Sequence, residues 1–234
     1  KAAETGQAFR DFQRELTPIL QAKGWWGRQE APNPDTGEIQ NVQLGSPYRL
    51  KTIYLTNLQS AYMAGRYAEM TAAKDTHPYW QYVAVNDNRT RESHRKLHGR
   101  VYAADDPVWD TLYPPLDYRC RCRVRPLSRA QGEDKVLPSP QPETITVDIG
   151  ANKSTGEQRY AQRTGIRLPD GTFVAPNAGF NANQGKTFLQ RTARTAIQKA
   201  QSVPPELAKT AVREMMTQEK FRNALSLAEL AWVA

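Results

Sequence analysis

The sequence predicts an α+β protein, mainly helical, with a small antiparallel sheet at its centre and a basic helical C-terminal part. Three observations carry this expectation. Residues 47–73 place apolar side chains at steps of three and four behind a Ser46-Pro47 start, the pattern of a capped helix with proline at its first position. Residues 79–85 (YWQYVAV) switch to aromatic and β-branched side chains, which suit a pleated strand. Residues 120–125 alternate cysteine or valine with arginine, the period of a half-buried strand.

Along the chain, residues 5–23 read as a helix because Phe9, Phe12, Leu16, Ile19 and Leu20 form one apolar stripe. Pro18 sits late in it as a kinking or shortening residue. Gly24-Trp25-Trp26-Gly27 ends the pattern, and Pro32, Pro34 and Asp35-Thr36-Gly37 mark an irregular connection or small hairpin. The paired tryptophans read as core anchors ahead of a subunit contact. On the long helix, the expected inward face is Leu50, Ile53 or Tyr54, Leu58, Ala61 or Tyr62, and Gly65.

After the first strand, Asn86-Asp87-Asn88 makes a turn or cap, and residues 90–97 a short helix closed by Gly99. Residues 100–102 read as a second short strand, Pro107 opens a helical turn reaching Leu112, and Pro114-Pro115 forces extended chain. Residues 127–142 turn polar, with Pro138, Pro140 and Pro142 alternating as a stiff linker. Residues 144–149 form a short strand. Residues 150–185 are loop-rich, with Asp170-Gly171 turning between Ile166–Leu168 and Phe173–Val174. From Gly185 a basic helix carries Leu189, Ala193, Ile197 and Ala200 on one face. A further helix is expected after Pro204-Pro205 through Met216, with Leu207, Ala211, Val212 and Met215 inward, and a last one around Phe221, Leu225 and Leu230. The organisation so predicted is an N-terminal helical region (1–75), a central domain (76–130), a Pro-rich linker (131–150) and a loop-rich and helical C-terminal region (151–234).

A chain of 234 residues can bury a real core. Its 39% hydrophobic content, 16 prolines and 14 glycines make that core modest and the loops many, while five tryptophans and ten tyrosines argue against general disorder. The net charge of +8 favours acidic partners such as nucleic acid or an acidic protein surface. Two cysteines one residue apart oppose a secreted disulfide framework and favour a reducing compartment. No run of 18 apolar residues exists, so no membrane span is expected. The first residue is Lys1, which reads as a start inside a longer chain or after a removed segment.

The chemistry concentrates between Trp80 and Pro126. His94 and His98, at i and i+4, would share a helix face, and with Cys120 and Cys122 they form a candidate four-ligand zinc set. A Cys-x-Cys on a strand would put both sulfurs on one face but roughly 7 Å apart; the plainer reading makes the cysteines small buried apolar residues and His94 part of a polar cluster. No other cofactor is implied. Asp87, His94 and either cysteine are the types of an acid, a base and a nucleophile, yet no spacing fixes their geometry and no Gly-rich phosphate loop accompanies them. No enzyme activity is therefore expected; a nuclease-like or DNA-binding module is the rival reading.

Arg89, Arg91, Arg95, Arg100, Arg119, Arg121, Arg123 and Arg125 outnumber the nearby Asp105, Asp106, Asp110 and Asp117. They read either as a solvated, salt-bridged face or as a surface for phosphate or carboxylate groups. Candidate contacts to nucleic acid or an acidic partner are Arg95, Arg100, Arg121 and Arg123, with Lys186, Arg191 and Arg194 on the basic helix as a second surface.

The order Tyr79-Trp80-x-Tyr82, Arg89-x-Arg91-x-x-His94-x-x-Leu97-His98-Gly99, Asp106-Pro107-x-Trp109, Pro114-Pro115, Cys120-Arg121-Cys122 and Pro126 resembles the phage Mu F-like head morphogenesis (minor head protein) family. Ala61-Tyr62-x-Ala64-Gly65-Arg66 looks like the segment preceding that domain in Mu-like phages. Pro176-x-x-Gly179-Phe180-x-x-Asn183 is similar to a tail in such proteins, with Gln184-Gly185 where the family has Pro-Gly. The match covers about residues 45–185. The resemblance implies a structural minor capsid protein of a tailed phage, in the virion head and, during assembly, in the host cytoplasm. It also implies portal or major capsid protein as partners, packaged double-stranded DNA nearby and no membrane. On that reading Trp80, Arg89, Arg91, His94, Trp109, Pro114, Pro115, Cys120 and Cys122 form a structural motif. Arg89, Arg91, His94 and Cys122 hold helix to strand under a cover of Trp80 and Trp109.

Overall fold

The computed structural model describes residues 6–32, 37–152, 156–177 and 179–201, together with 214 and 217. The helices expected after Pro204 and around Phe221, Leu225 and Leu230 lie outside the described residues. Among the described residues helices and antiparallel strands alternate, so the α+β class stands while "mainly helical" gives way to a more even mixture. The chain divides into two compact units, Lys1–Gln59 with Thr144–Arg163, and Ser60–Glu143 with Thr164–Ala234.

In the first unit, α1 (Phe9–Ala22) is followed by an antiparallel hairpin of β1 (Gly27–Pro32) and β2 (Ile39–Gly45), paired from Arg28↔Gln43 to Pro32↔Ile39. The α1 stripe is half-buried: Phe9 and Phe12 tilt against the Tyr54 ring at 5.5 and 5.4 Å, and the Tyr54 hydroxyl donates to the Gln7 carbonyl at 2.6 Å. The tryptophan pair is not a core anchor. Trp25 is 66% exposed and Trp26 half-buried, because the pair stands at the hairpin's open edge, with Trp26 lying over Gly45 where a Cβ would come within 2.8 Å of its ring.

Helix α2 (Pro47–Ala72) starts as its sequence predicts: the Ser46 hydroxyl accepts the Arg49 amide at 3.1 Å, and the Ser46 carbonyl the Leu50 amide at 3.0 Å. Within the second unit its buried side is Met63, Ala64 and Met70, with Tyr67 packed beside them. The expected face at Leu58, Ala61, Tyr62 and Gly65 is exposed. Steps of three and four also link Met63, Tyr67 and Met70, so the core-facing stripe lies one residue further round the helix, where the larger side chains are.

The centre of the second unit is a three-stranded antiparallel sheet ordered β4-β3-β5, from β3 (Tyr79–Val83), β4 (Val101–Ala103) and β5 (Arg123–Leu127). Trp80 pairs with Tyr102, and Tyr82 with Val124. Alternation on β3 buries Trp80 and Tyr82 on one face. Onto that face pack Met63 and Met70, the short helix α4 (Val108–Leu112), and Tyr113, Leu116, Ile166, Leu168 and Val174. Between β3 and β4 lies the single helical turn α3 (Glu92–Arg95).

The stretch read as a stiff linker holds α5 (Arg129–Gly132), opened by a Ser128–Gln131 capping box, and a 3-10 turn Glu133–Lys135. It is fastened to β4 through the Val101↔Val136 bridge, and the Leu137 amide donates to the Val101 carbonyl at 2.8 Å. Then come β6 (Pro142–Ala151), β7 (Gln158–Arg167) and β8 (Phe173–Val174), ordered β6-β7-β8. Strand β7 replaces part of the expected loop; its polar sequence gives no period-two signal. The Asp170-Gly171 turn between β7 and β8 is as predicted, with Ile166↔Val174 pairing and Gly171 at φ 81°. Helix α6 (Gln184–Gln201) is capped by Asn183, whose side-chain oxygen accepts the Lys186 amide at 3.0 Å. Of its expected apolar face, Ile197 is buried.

Candidate functional site

His94, Cys120 and Cys122 are all buried, and their ligand atoms lie within 4.8 Å of one another. The His94 Nδ1 stands 3.8 Å from the Cys120 sulfur and 3.9 Å from that of Cys122. Two local features produce this convergence. First, α3 is one turn long, so its imidazole is aimed by a short rigid segment between the Thr90 turn and the sheet. Second, residues 120–122 are not a strand: Arg119 takes φ 58°, the Cys120 amide donates to the Asp117 carbonyl at 3.1 Å, and β5 begins only at Arg123. The turn folds both sulfurs inward instead of spacing them along a pleat, which corrects the expected separation of a strand-borne pair.

His98 does not join this cluster. After α3 the chain tightens into i→i+3 bonds, Leu97 amide to His94 carbonyl at 3.2 Å and His98 amide to Arg95 carbonyl at 2.9 Å, so the i,i+4 face relation is lost. Its exposed ring instead accepts the Ala84 amide at 3.2 Å. Of the four candidate ligands expected from sequence, His94, Cys120 and Cys122 are brought together and His98 is not.

The two thiols titrate as a pair. A hydrogen bond from Cys122 is the main cause that lowers Cys120, with His94 adding to it against burial; the same bond and burial raise Cys122. Tyr82 lies beside them. Burial pushes its hydroxyl well above the usual phenol range, and the Cys122 and Cys120 sulfurs push it further. A bond to the Cys122 sulfur adds to the rise, and the hydroxyl has no oxygen or nitrogen partner among the described residues.

Around this cluster the arginines act as ties. The Arg121 guanidinium grips Asp87 with two bonds, 2.8 and 2.5 Å. Asp87 also accepts the Arg89 amide at 3.0 Å and the Thr90 hydroxyl at 3.3 Å. The Arg121 bonds hold the Asp87 carboxyl well below the ordinary carboxylate range. Arg91 pairs through Nε with Asp117 at 2.9 Å. Asp117 is itself buried and accepts the Tyr118 amide at 2.6 Å and the Asn177 side chain at 3.0 Å. The Arg89 side chain reaches Asp87 at 3.4 Å and is mostly exposed.

An aromatic layer covers the opposite side. Trp80 and Trp109 lie 5.8 Å apart, Tyr102 meets Trp109 edge-on at 5.8 Å, and Tyr67 meets both Trp80 and Tyr113 edge-on. The Trp109 indole donates to the Ala103 carbonyl at 2.8 Å, and the Tyr113 hydroxyl to the Met63 carbonyl of α2 at 3.0 Å. Pro114 and Pro115 are buried between this layer and the Cys120 turn, joined by a cis bond.

The tail segment docks here too. Phe180 meets Tyr118 edge-on at 5.0 Å, and the buried Asn183 donates to the Trp109 carbonyl at 3.0 Å.

Of the residues expected to face a partner, Arg95 bonds the Thr90 carbonyl at 3.0 Å, Arg100 the Lys96 carbonyl at 3.1 Å, and Lys186 pairs with Asp110 at 2.9 Å. Arg121 is committed to Asp87. Arg123 is exposed on β5, and Arg191 and Arg194 are exposed on α6. Sequence reasoning missed the roles of Tyr82, of Asn177 and of Lys96, which pairs with Asp170 at 2.8 Å and Thr172 at 2.6 Å. The Asn177 and Lys96 contacts reach across 60 to 76 residues of chain, for which no local pattern exists. The Asn-Asp-Asn turn followed by Thr90 was the one local signal that Asp87 would be structural.

Among the described residues no helix is long and apolar enough to cross a membrane. The family described as "Phage Mu protein F like protein" matches residues 1–125. The chain is 42% identical over 189 residues to the Mu-like prophage FluMu F protein of Haemophilus influenzae, covering 79% of this chain and 44% of that protein. It is also 42% identical over 190 residues to the putative capsid assembly protein F of Escherichia phage Mu, covering 79% of this chain and 43% of that protein. The chain thus spans less than half the length of the curated relatives it matches. No solved structure matches it. The family match takes in the Trp80, Arg91, His94, Trp109 and Cys120-Arg121-Cys122 positions around which the site is built, and the chain belongs to the Phage Mu protein F like family.

Proposed function

We propose that this chain is part of a head-assembly protein of a Mu-like phage or prophage, with a structural rather than enzymatic role. It would act in the prohead, in contact with portal or major capsid protein, in the virion head and, before that, in the host cytoplasm. The observation that carries this reading is the 42% identity, over 79% of the chain, to the putative capsid assembly protein F of Escherichia phage Mu. The site geometry supports it. Asp87, Asp117, Arg91 and Arg121 spend their bonding capacity on one another and on the backbone, which suits a rigid wedge between protein surfaces. The test is genetic and biochemical. Heads assembled without the gene should be aberrant or fail to accumulate, and the protein should co-sediment with purified proheads. Normal DNA-filled heads in its absence would refute the role.

A second reading, contact with packaged DNA, is favoured by the exposed Arg191 and Arg194, one helical turn apart on α6. Binding to duplex DNA that weakens steeply with salt, and less steeply after Arg191→Gln/Arg194→Gln, would support it. Absence of binding at low salt would remove it.

A further inference from the structure

We propose that His94, Cys120 and Cys122 form a binding site for a thiophilic divalent cation, zinc foremost, held by the His94 Nδ1 and both cysteine sulfurs. This goes beyond the head-assembly role and does not depend on it. A tetrahedral zinc with ordinary Zn–S and Zn–N bonds requires nitrogen and sulfur ligands about 3.6 Å apart. The two separations in the structure, 3.8 and 3.9 Å, need to close by only about 0.2–0.3 Å. All three ligand atoms lie in the interior within 4.8 Å of one another, close enough to share one ion.

The donor set decides the class of ion. Two sulfurs and one imidazole suit zinc and its thiophilic neighbours and are poor ligands for magnesium or calcium, which take oxygen. The ligands come from α3 and from the turn before β5, 26 and 28 residues apart, so the ion would cross-link the two segments that the Arg121–Asp87 and Arg91–Asp117 pairs already tie.

A second observation points the same way. Tyr82 is 1% exposed, and its hydroxyl stands beside the Cys122 sulfur with no oxygen or nitrogen acceptor among the described residues. Thiols are weak acceptors, whereas a metal-bound thiolate is a strong one. Loading the site would thus give that buried donor a stronger acceptor than a thiol. Three protein ligands leave the fourth tetrahedral position to water or to a partner's side chain.

The test uses the full chain, purified under reducing conditions, stripped with a chelator, and titrated with Co2+ as a spectroscopic probe and then Zn2+. One equivalent of Co2+ should raise a thiolate-to-metal charge-transfer band and tetrahedral d–d bands, and Zn2+ should bleach both. Cys120→Ser and Cys122→Ser should each weaken binding by at least about tenfold, since losing a ligand costs no less than losing its outer partner. His98→Gln should leave binding unchanged. Absence of the charge-transfer band in the wild-type chain overturns the proposal whether or not any variant folds. An undiminished band in Cys120→Ser/Cys122→Ser overturns it as well.

Discussion

Trp80 and Trp109 offer a matched pair for weighing what holds the central domain together. Both are deeply buried, 1% and 3% exposed, and they touch in one aromatic layer. They differ in one respect: the Trp109 indole N–H donates to the Ala103 carbonyl at 2.8 Å, whereas the Trp80 indole N–H has no partner among the described residues. Replacing either by phenylalanine removes the same pyrrole portion of the side chain and leaves a comparable void, so the packing terms cancel to first order. Trp109→Phe also forfeits a net hydrogen bond worth about 0.5–1.5 kcal/mol. Trp80→Phe instead deletes a buried unsatisfied donor, whose burial costs about 1–3 kcal/mol. The two effects point the same way, and Trp109→Phe should be the more destabilising variant by about 1.5–4.5 kcal/mol. The lower end is the better guide, because the Ala103 carbonyl keeps the Asp106 amide as a donor at 3.1 Å. Urea unfolding followed by far-UV circular dichroism, with m-values shown to be equal, measures the difference. A Trp80→Phe variant as destabilised as Trp109→Phe would refute this ordering of the core.

Other consequences follow from the same geometry. His94→Ala should lower stability by about 1–3 kcal/mol, through the buried groups it leaves unpaired; an unchanged melting curve would count against a cross-bracing role. Because Arg121 depresses the Asp87 carboxyl, its contribution is fully present above the ordinary aspartate pKa of about 3.9 and fades as pH falls below that value. The melting-temperature gap between wild type and Asp87→Asn should therefore be widest near neutrality and shrink on acidification, and a constant gap would exclude the linkage. Gly185→Ala would drive a methyl group into Cβ and the ring of Tyr67, where α6 meets α2. Its expected cost is about 1–3 kcal/mol by overpacking, and a neutral result would show that this contact is loose.

Much of this was legible in the sequence where the signal is local. Ser46-Pro47 fixed the start of α2, alternation in YWQYV fixed the buried face of β3, and Asp170-Gly171 fixed the β7–β8 turn. What failed did so because a local pattern was extended past its range. An i,i+4 argument for His94 and His98 assumes a helix longer than one turn, and α3 is four residues long. Period-two alternation from Cys120 assumes extended chain, and Arg119 puts a left-handed turn just before it. The turn brings the two sulfurs closer together than the roughly 7 Å of a strand-borne pair, so the candidate site is smaller and tighter. Strand β7 was hidden because QRYAQRTGIR has few apolar residues to alternate; its pairing with neighbours, not its composition, makes it a strand. Partners such as Asp117 with Asn177, or Lys96 with Asp170, are products of tertiary folding that no window of sequence contains.

The head-assembly role is tested most directly by a reconstruction of intact heads from a phage or induced prophage that encodes this chain. Density matching the β4-β3-β5 sheet with its flanking α2 and α4, seated against portal or inner capsid protein, is the predicted result. Mature heads and proheads that both lack this density, from cells shown to make the protein, would contradict it.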